Sequence, residues 1–91
     1  MSAQIEFLGP LKQLVNGQDV LEIQAASVGE ALQELGRQYE NLAQRLLTED
    51  GTLHRHINIY VNEDDIRFQD HLQTSLSQGD RVTVISAIAG G

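Results

Sequence analysis

The chain has 91 residues, enough for one domain, and its 41% hydrophobic and 21% charged content is too apolar for a disordered protein. Thirteen acidic side chains against six basic ones give a net charge of −7, a surface that repels phosphate backbones and anionic lipid. With no cysteine, disulfides, thiol catalysis, iron–sulfur ligation and cysteine-based zinc sites are excluded.

Gln4-Ile5-Glu6-Phe7 alternates polar and apolar, so Ile5 and Phe7 share one face of a first strand, which Gly9-Pro10 ends. Asn16-Gly17 signals a turn, and Val20-Leu21-Glu22-Ile23 alternates again. Together they predict an antiparallel hairpin with a long, partly apolar loop. Ser27-Val28-Gly29-Glu30 reads as a capping box: the Ser27 hydroxyl accepts from the Glu30 N–H, and the Glu30 carboxylate from the Ser27 N–H. Val28, Ala31, Leu32 and Leu35 follow helical spacing, Tyr39 extends the stripe, and Gly36 weakens it so that the helix frays near Gln38 to Asn41. Leu42, Ala43, Leu46 and Leu47 predict a second short helical turn, closed by Asp50-Gly51.

His56 to Val61 is the clearest strand, with Ile57, Ile59 and Val61 on one face and Asn58 and Tyr60 on the other. Asn62-Glu63-Asp64-Asp65 is a polar turn and Ile66-Arg67-Phe68 a short return strand. After a second turn at Gln78-Gly79-Asp80, Arg81-Val82-Thr83-Val84-Ile85 is apolar on both faces, as a strand in the middle of a sheet is. Strands grouped around one main helix define an α+β layer pair, the helix packed across a mixed sheet of four to five strands.

Little in the chain suits catalysis. Its only lysine, Lys12, lies outside any phosphate loop, and no Gly-x-Ser-x-Gly elbow is present. His54 and His56 are two apart at a strand start, hence on one face, but no further ligand stands at metal spacing, and His71 is alone in a loop. Glu63-Asp64-Asp65 lacks the calcium-loop spacing and reads as a solvated turn. No metal, bound cofactor or catalytic residue is expected. No run approaches the roughly 18 apolar residues of a membrane span. Met1-Ser2-Ala3-Gln4-Ile5-Glu6 has no basic segment ahead of an apolar one, so the expected location is cytoplasmic.

Ile88-Ala89-Gly90-Gly91 is different. Glycine carries no side chain, so such a tail threads a narrow cleft and delivers the Gly91 carboxylate unhindered to another protein's nucleotide. Attack on the α-phosphate of ATP gives an acyl-adenylate, an electrophile for sulfur or an amine, with the catalytic groups supplied by the partner.

Asn58-Ile59-Tyr60-Val61-Asn62-Glu63-Asp64-Asp65-Ile66-Arg67-Phe68, Leu76-Ser77-Gln78-Gly79-Asp80-Arg81-Val82-Thr83-Val84-Ile85 and the Ala89-Gly90-Gly91 end resemble the MoaD/ThiS family of ubiquitin-like sulfur carriers. That family includes the small subunit of molybdopterin synthase. The resemblance implies a β-grasp (ubiquitin-like) domain over residues 1–87, with the first and last strands parallel at the sheet centre, and a flexible tail at 88–91. It implies no enzyme but a protein cosubstrate. A ubiquitin-activating-type adenylating enzyme takes the tail, with Ile88, Ala89 and Gly90 lining the insertion, and adenylates Gly91 using ATP. A sulfurtransferase or sulfide source then forms a thiocarboxylate, and an acceptor biosynthetic enzyme receives the sulfur. Phe7 and Ile59 stand where the family has strand residues and are candidates for the docking surface.

One departure is the absence of proline before the last residues, where Ser86-Ala87-Ile88 stands instead, which raises the cost of ordering the tail. The Asn58–Phe68 stretch is closer to carriers used in cysteine biosynthesis than to typical molybdopterin-synthase subunits, while molybdopterin, thiamine and tRNA thiolation stay open as destinations. Two other readings stay open: a protein modifier forming isopeptide bonds through Gly91, and a β-grasp adaptor whose terminal glycines are incidental.

Overall fold

Segments from the two ends of the chain meet at the centre of the sheet. The computed structural model describes residues 2–86. In it β1 (Ser2–Phe7) lies parallel to β5 (Arg81–Ser86), Ile5 beside Val82 and Phe7 beside Val84. On its other side β1 pairs antiparallel with β2 (Leu21–Gln24). β3 (Ile57–Val61) pairs antiparallel with β5 and, at its far end, with the two-residue β4 (Asp64–Asp65). The order is β2-β1-β5-β3-β4, five strands with the parallel pair inside, as the resemblance implied.

The pleat sorts the strands into two faces. Ala3, Ile5, Phe7, Ile23, Ile57, Ile59, Val61, Val82 and Val84 are buried on one. Against them pack Val28, Ala31, Leu32 and Leu35 of α1 (Val28–Gln38) and Leu42 and Leu46 of α2 (Leu42–Leu46). Phe7 and Ile59 are both 0% exposed. That corrects their assignment to a docking surface: they share the alternation of Ile5 and Ile57, and the helix covers them. β5 carries Thr83 and Ile85 half-buried on the opposite face, so its two-sided apolar character reflects its central place.

Three local expectations change. The long loop of the first hairpin is a 3-10 helix, Gly9–Val15, that has Pro10 in its first turn and buries Leu11 and Val15, which is why it reads as partly apolar. Ser27 Oγ accepts from the Glu30 N–H at 3.2 Å, as a capping box requires, but Glu30 Oε2 reaches one residue further back, to the Ala26 N–H at 3.0 Å. Ile66-Arg67-Phe68 is a 3-10 turn, not a return strand. Asp65 Oδ1 accepts from the Arg67 N–H at 2.9 Å and caps it, so that Ile66 turns into the core while Phe68 is left 85% exposed.

Candidate functional site

The two ends of the sheet are built differently. At one end the turns are tied down: Asn62, with φ +59°, donates from Nδ2 to Asp80 Oδ1 at 3.2 Å and accepts on Oδ1 from the Arg81 N–H at 3.1 Å. Asp80 Oδ2 in turn accepts from the Ser77 N–H at 2.8 Å. At the other end the last residue of β5, Ser86, lies opposite Ile57, the first of β3, and the chain goes on toward residues 87–91. The predicted sulfur-bearing residue Gly91 and the inserted residues Ile88, Ala89 and Gly90 lie outside the described residues.

The sheet face away from the helices is open. The register places Asn58 beside Ile85 and Tyr60 beside Thr83 on this face. Leu8 is extended, its N–H donating to the Val84 carbonyl at 3.0 Å, and so continues β1 alongside Ile85. The 66–68 turn flanks the same face, because the Arg67 guanidinium donates to Asn58 Oδ1 and lies 3.5 Å from Asp65 Oδ1. Leu8, Tyr60 and Ile85 thus form the apolar part of a face otherwise made of polar side chains such as Gln4, Glu6 and Thr83, and the exposed Phe68 follows Arg67 in the adjoining turn. Sequence reasoning chose Phe7 and missed its neighbour Leu8. The alternation itself carried the signal, since residues adjacent in a strand face opposite ways.

The histidine pair behaves differently from expectation. β3 starts at Ile57, so His54 and His56 precede the strand, yet their ring centroids are 5.5 Å apart. His54 Nε2 sits 3.3 Å from the Gln44 carbonyl oxygen. Among the described residues no three His, Asp or Glu side chains converge to hold a metal ion. Glu63 stands in the turn between β3 and β4, and Asp65 is used up in capping. Lys12 pairs with Asp19, and the hydrogen bond from its ammonium, with its charge, holds that carboxyl below the usual carboxylate range. No described helix is long and apolar enough to cross a membrane.

A mixed five-stranded sheet in this order, its central parallel pair covered by one main helix, is the β-grasp of ubiquitin-like proteins. The family model described as the ThiS family matches residues 5–91, and the chain belongs to this family of ubiquitin-like sulfur carriers. Sulfur carrier protein CysO of Mycobacterium tuberculosis is 36% identical over 83 residues, 89% of each chain. Small archaeal modifier protein 3 of Haloferax volcanii is 31% identical over 93 residues and the full length of both. Among solved structures, the Amycolatopsis orientalis BexX/CysO complex contains a chain that superposes with a TM-score of 0.88 at 31% identity, covering 98% of this chain and 99% of that one.

Proposed function

We propose that this protein carries sulfur as a thiocarboxylate on Gly91. The observation behind the reading is that Gly90-Gly91 comes within five residues of the end of the central strand β5, in a chain of the ThiS family. Five residues reach at most about 17 Å, enough to take a terminal carboxylate away from the domain and into a partner's cleft. A Gly91 carboxylate oxygen attacks the α-phosphate of ATP and pyrophosphate leaves. Sulfide then attacks the acyl carbon and AMP leaves, so one oxygen is exchanged for one sulfur. A protein persulfide as donor does the same, with a thiol reducing the acyl disulfide that forms. The adenylating partner supplies the groups that stabilise charge at phosphorus.

The open sheet face, with Leu8, Tyr60 and Ile85, together with the exposed Phe68 of the adjoining turn, is the proposed docking surface, replacing Phe7 and Ile59. The exposed aromatic ring of Phe68 is the kind of anchor that dominates protein interfaces. A net charge of −7 favours a basic partner surface, so association weakens as salt rises.

The test is the intact mass of the chain after incubation with ATP, sulfide and an adenylating enzyme. The reading expects a gain equal to one sulfur-for-oxygen exchange, lost when Gly91 is deleted; a gain that survives the deletion overturns it. The full-length similarity to a Haloferax modifier protein favours a second fate for the same adenylate, attack by an amine to give an isopeptide. Lys12 is then the one lysine of the sequence through which one copy is linked to another.

A further inference from the structure

A groove of about 500 Å³ opens between the loop ahead of β3 and the two 3-10 turns that come after β4. Leu53, Ile57, Ile66 and Leu72 make its apolar walls. Its polar rim is His54, Arg55, Arg67 and His71, with Asp70 as the one carboxylate. The chain has six lysines and arginines and three histidines, and this groove takes two of each group. On a molecule of net charge −7 its two arginines outnumber its one carboxylate over an apolar floor, and it fits a ligand with an apolar body and an anionic end. The two arginines are not equivalent. Arg67 is engaged with Asn58 and Asp65, whereas Arg55 is exposed and makes no ion pair among the described residues.

The groove adjoins the point where the chain leaves the sheet. Ile57, in its wall, is the cross-strand neighbour of Ser86. β5 runs antiparallel to β3, so its last residue lies beside the start of β3, which Arg55 and His56 precede in the chain. Beyond Ser86 the chain ends in Ala87-Ile88-Ala89-Gly90-Gly91: one large apolar side chain, small residues and a carboxylate, within a reach of about 17 Å.

We infer that the groove seats the chain's own last residues when no partner holds them, with Ile88 against Leu53 and Leu72 and the Gly91 carboxylate at Arg55. The seat itself stands apart from the sulfur chemistry; its regulatory consequence rests on the proposed carrier function. A seated tail is withheld from the adenylating enzyme, and a seat filled half to four-fifths of the time lowers apparent affinity roughly two- to fivefold.

The absence of native cysteine permits a direct test on the full chain. A nitroxide attached through Ala89→Cys is expected to broaden the methyl signals of Leu53, Ile66 and Leu72 more than those of Leu8, which lies on the open face. Arg55→Glu in the same chain, its fold checked by urea denaturation, is expected to abolish that preference. Equal broadening on both faces, or a preference indifferent to Arg55→Glu, overturns the inference. So does broadening that passes from labelled to unlabelled molecules in a mixed sample, which would make the occupant a second copy. The sample contains no ATP, sulfide or partner. Failure here is therefore separate from failure of thiocarboxylation, which the mass measurement reads.

Discussion

Asn62 and Asp80 are 18 residues apart in sequence and joined at 3.2 Å, amide to carboxylate. This bond ties the β3–β4 turn to the turn that launches β5. The backbone adds contacts at the same end of the sheet: the Asn62 N–H donates to the Arg81 carbonyl at 2.6 Å, the Gln4 N–H to the Asp80 carbonyl at 2.9 Å and the Gly79 N–H to the Ser2 carbonyl at 2.9 Å. Asn62→Ala removes the side-chain bonds and leaves an alanine at positive φ, and is expected to cost about 2 kcal/mol. Asn62→Gly keeps the backbone freedom and loses only the bonds, so about 1 kcal/mol is expected. Urea denaturation of the two variants separates the contributions.

Two helical glycines lead to opposite expectations. A Cβ on Gly36 meets only the Ala43 Cβ at 3.6 Å, an ordinary contact. Gly36→Ala should therefore stabilise by about 0.5–1 kcal/mol through helix propensity. A Cβ on Gly29 comes within 3.0 Å of the Leu72 backbone oxygen. Gly29→Ala is expected to lose that gain and to lower the melting temperature relative to Gly36→Ala.

Phe7 and Phe68 separate folding from docking. Phe7→Ala opens a cavity in the core and should cost about 3–5 kcal/mol in unfolding experiments. Phe68→Ala removes an exposed ring and is expected to leave unfolding within about 0.5 kcal/mol of the parent. The proposed docking face predicts that it weakens binding to the adenylating enzyme. Unchanged affinity in a titration would move the interface elsewhere.

Loss of the Ser27 cap should cost about 1 kcal/mol, measured as Ser27→Ala, because the Glu30 N–H loses its acceptor at 3.2 Å.

The Lys12–Asp19 pair gives a pH dependence with a definite sign. Lys12 lowers the Asp19 pKa in the folded protein, so the pair adds stability above the unfolded carboxylate value, and the addition fades as pH falls through the folded value. The group is fully exposed, so salt screens the effect. The melting-temperature difference between parent and Lys12→Gln should be present at neutral pH and low salt, and should vanish in acid or at high salt.

The elements set by local periodicity were readable from residues alone: β1, β3, β5 and the capped α1. The parallel pairing of β1 with β5 was not, because it joins residues 77 apart and left only the two-sided apolar pattern of β5 as a trace. It came from the family resemblance. Ile66-Arg67-Phe68 misled because three residues cannot distinguish alternation from a turn that buries its first member, and the deciding contact is the Asp65 cap. The docking face was misread at Phe7 and Ile59 because apolar character marks burial as readily as contact. The groove was invisible because its walls come from two separate stretches, 52–57 and 66–73, that only the fold brings together.

The placement of β5 between β1 and β3 bears on how the protein is made. Its neighbours are complete long before it leaves the ribosome, but they do not pair with each other; each waits for β5. The loop to be closed spans most of the chain, and its entropy is recovered only when this strand arrives. Nascent or truncated chains that lack residues 81–86 therefore have no sheet centre. Folding is in effect a proofreading step: a domain able to dock is assembled only on a molecule whose synthesis has passed β5.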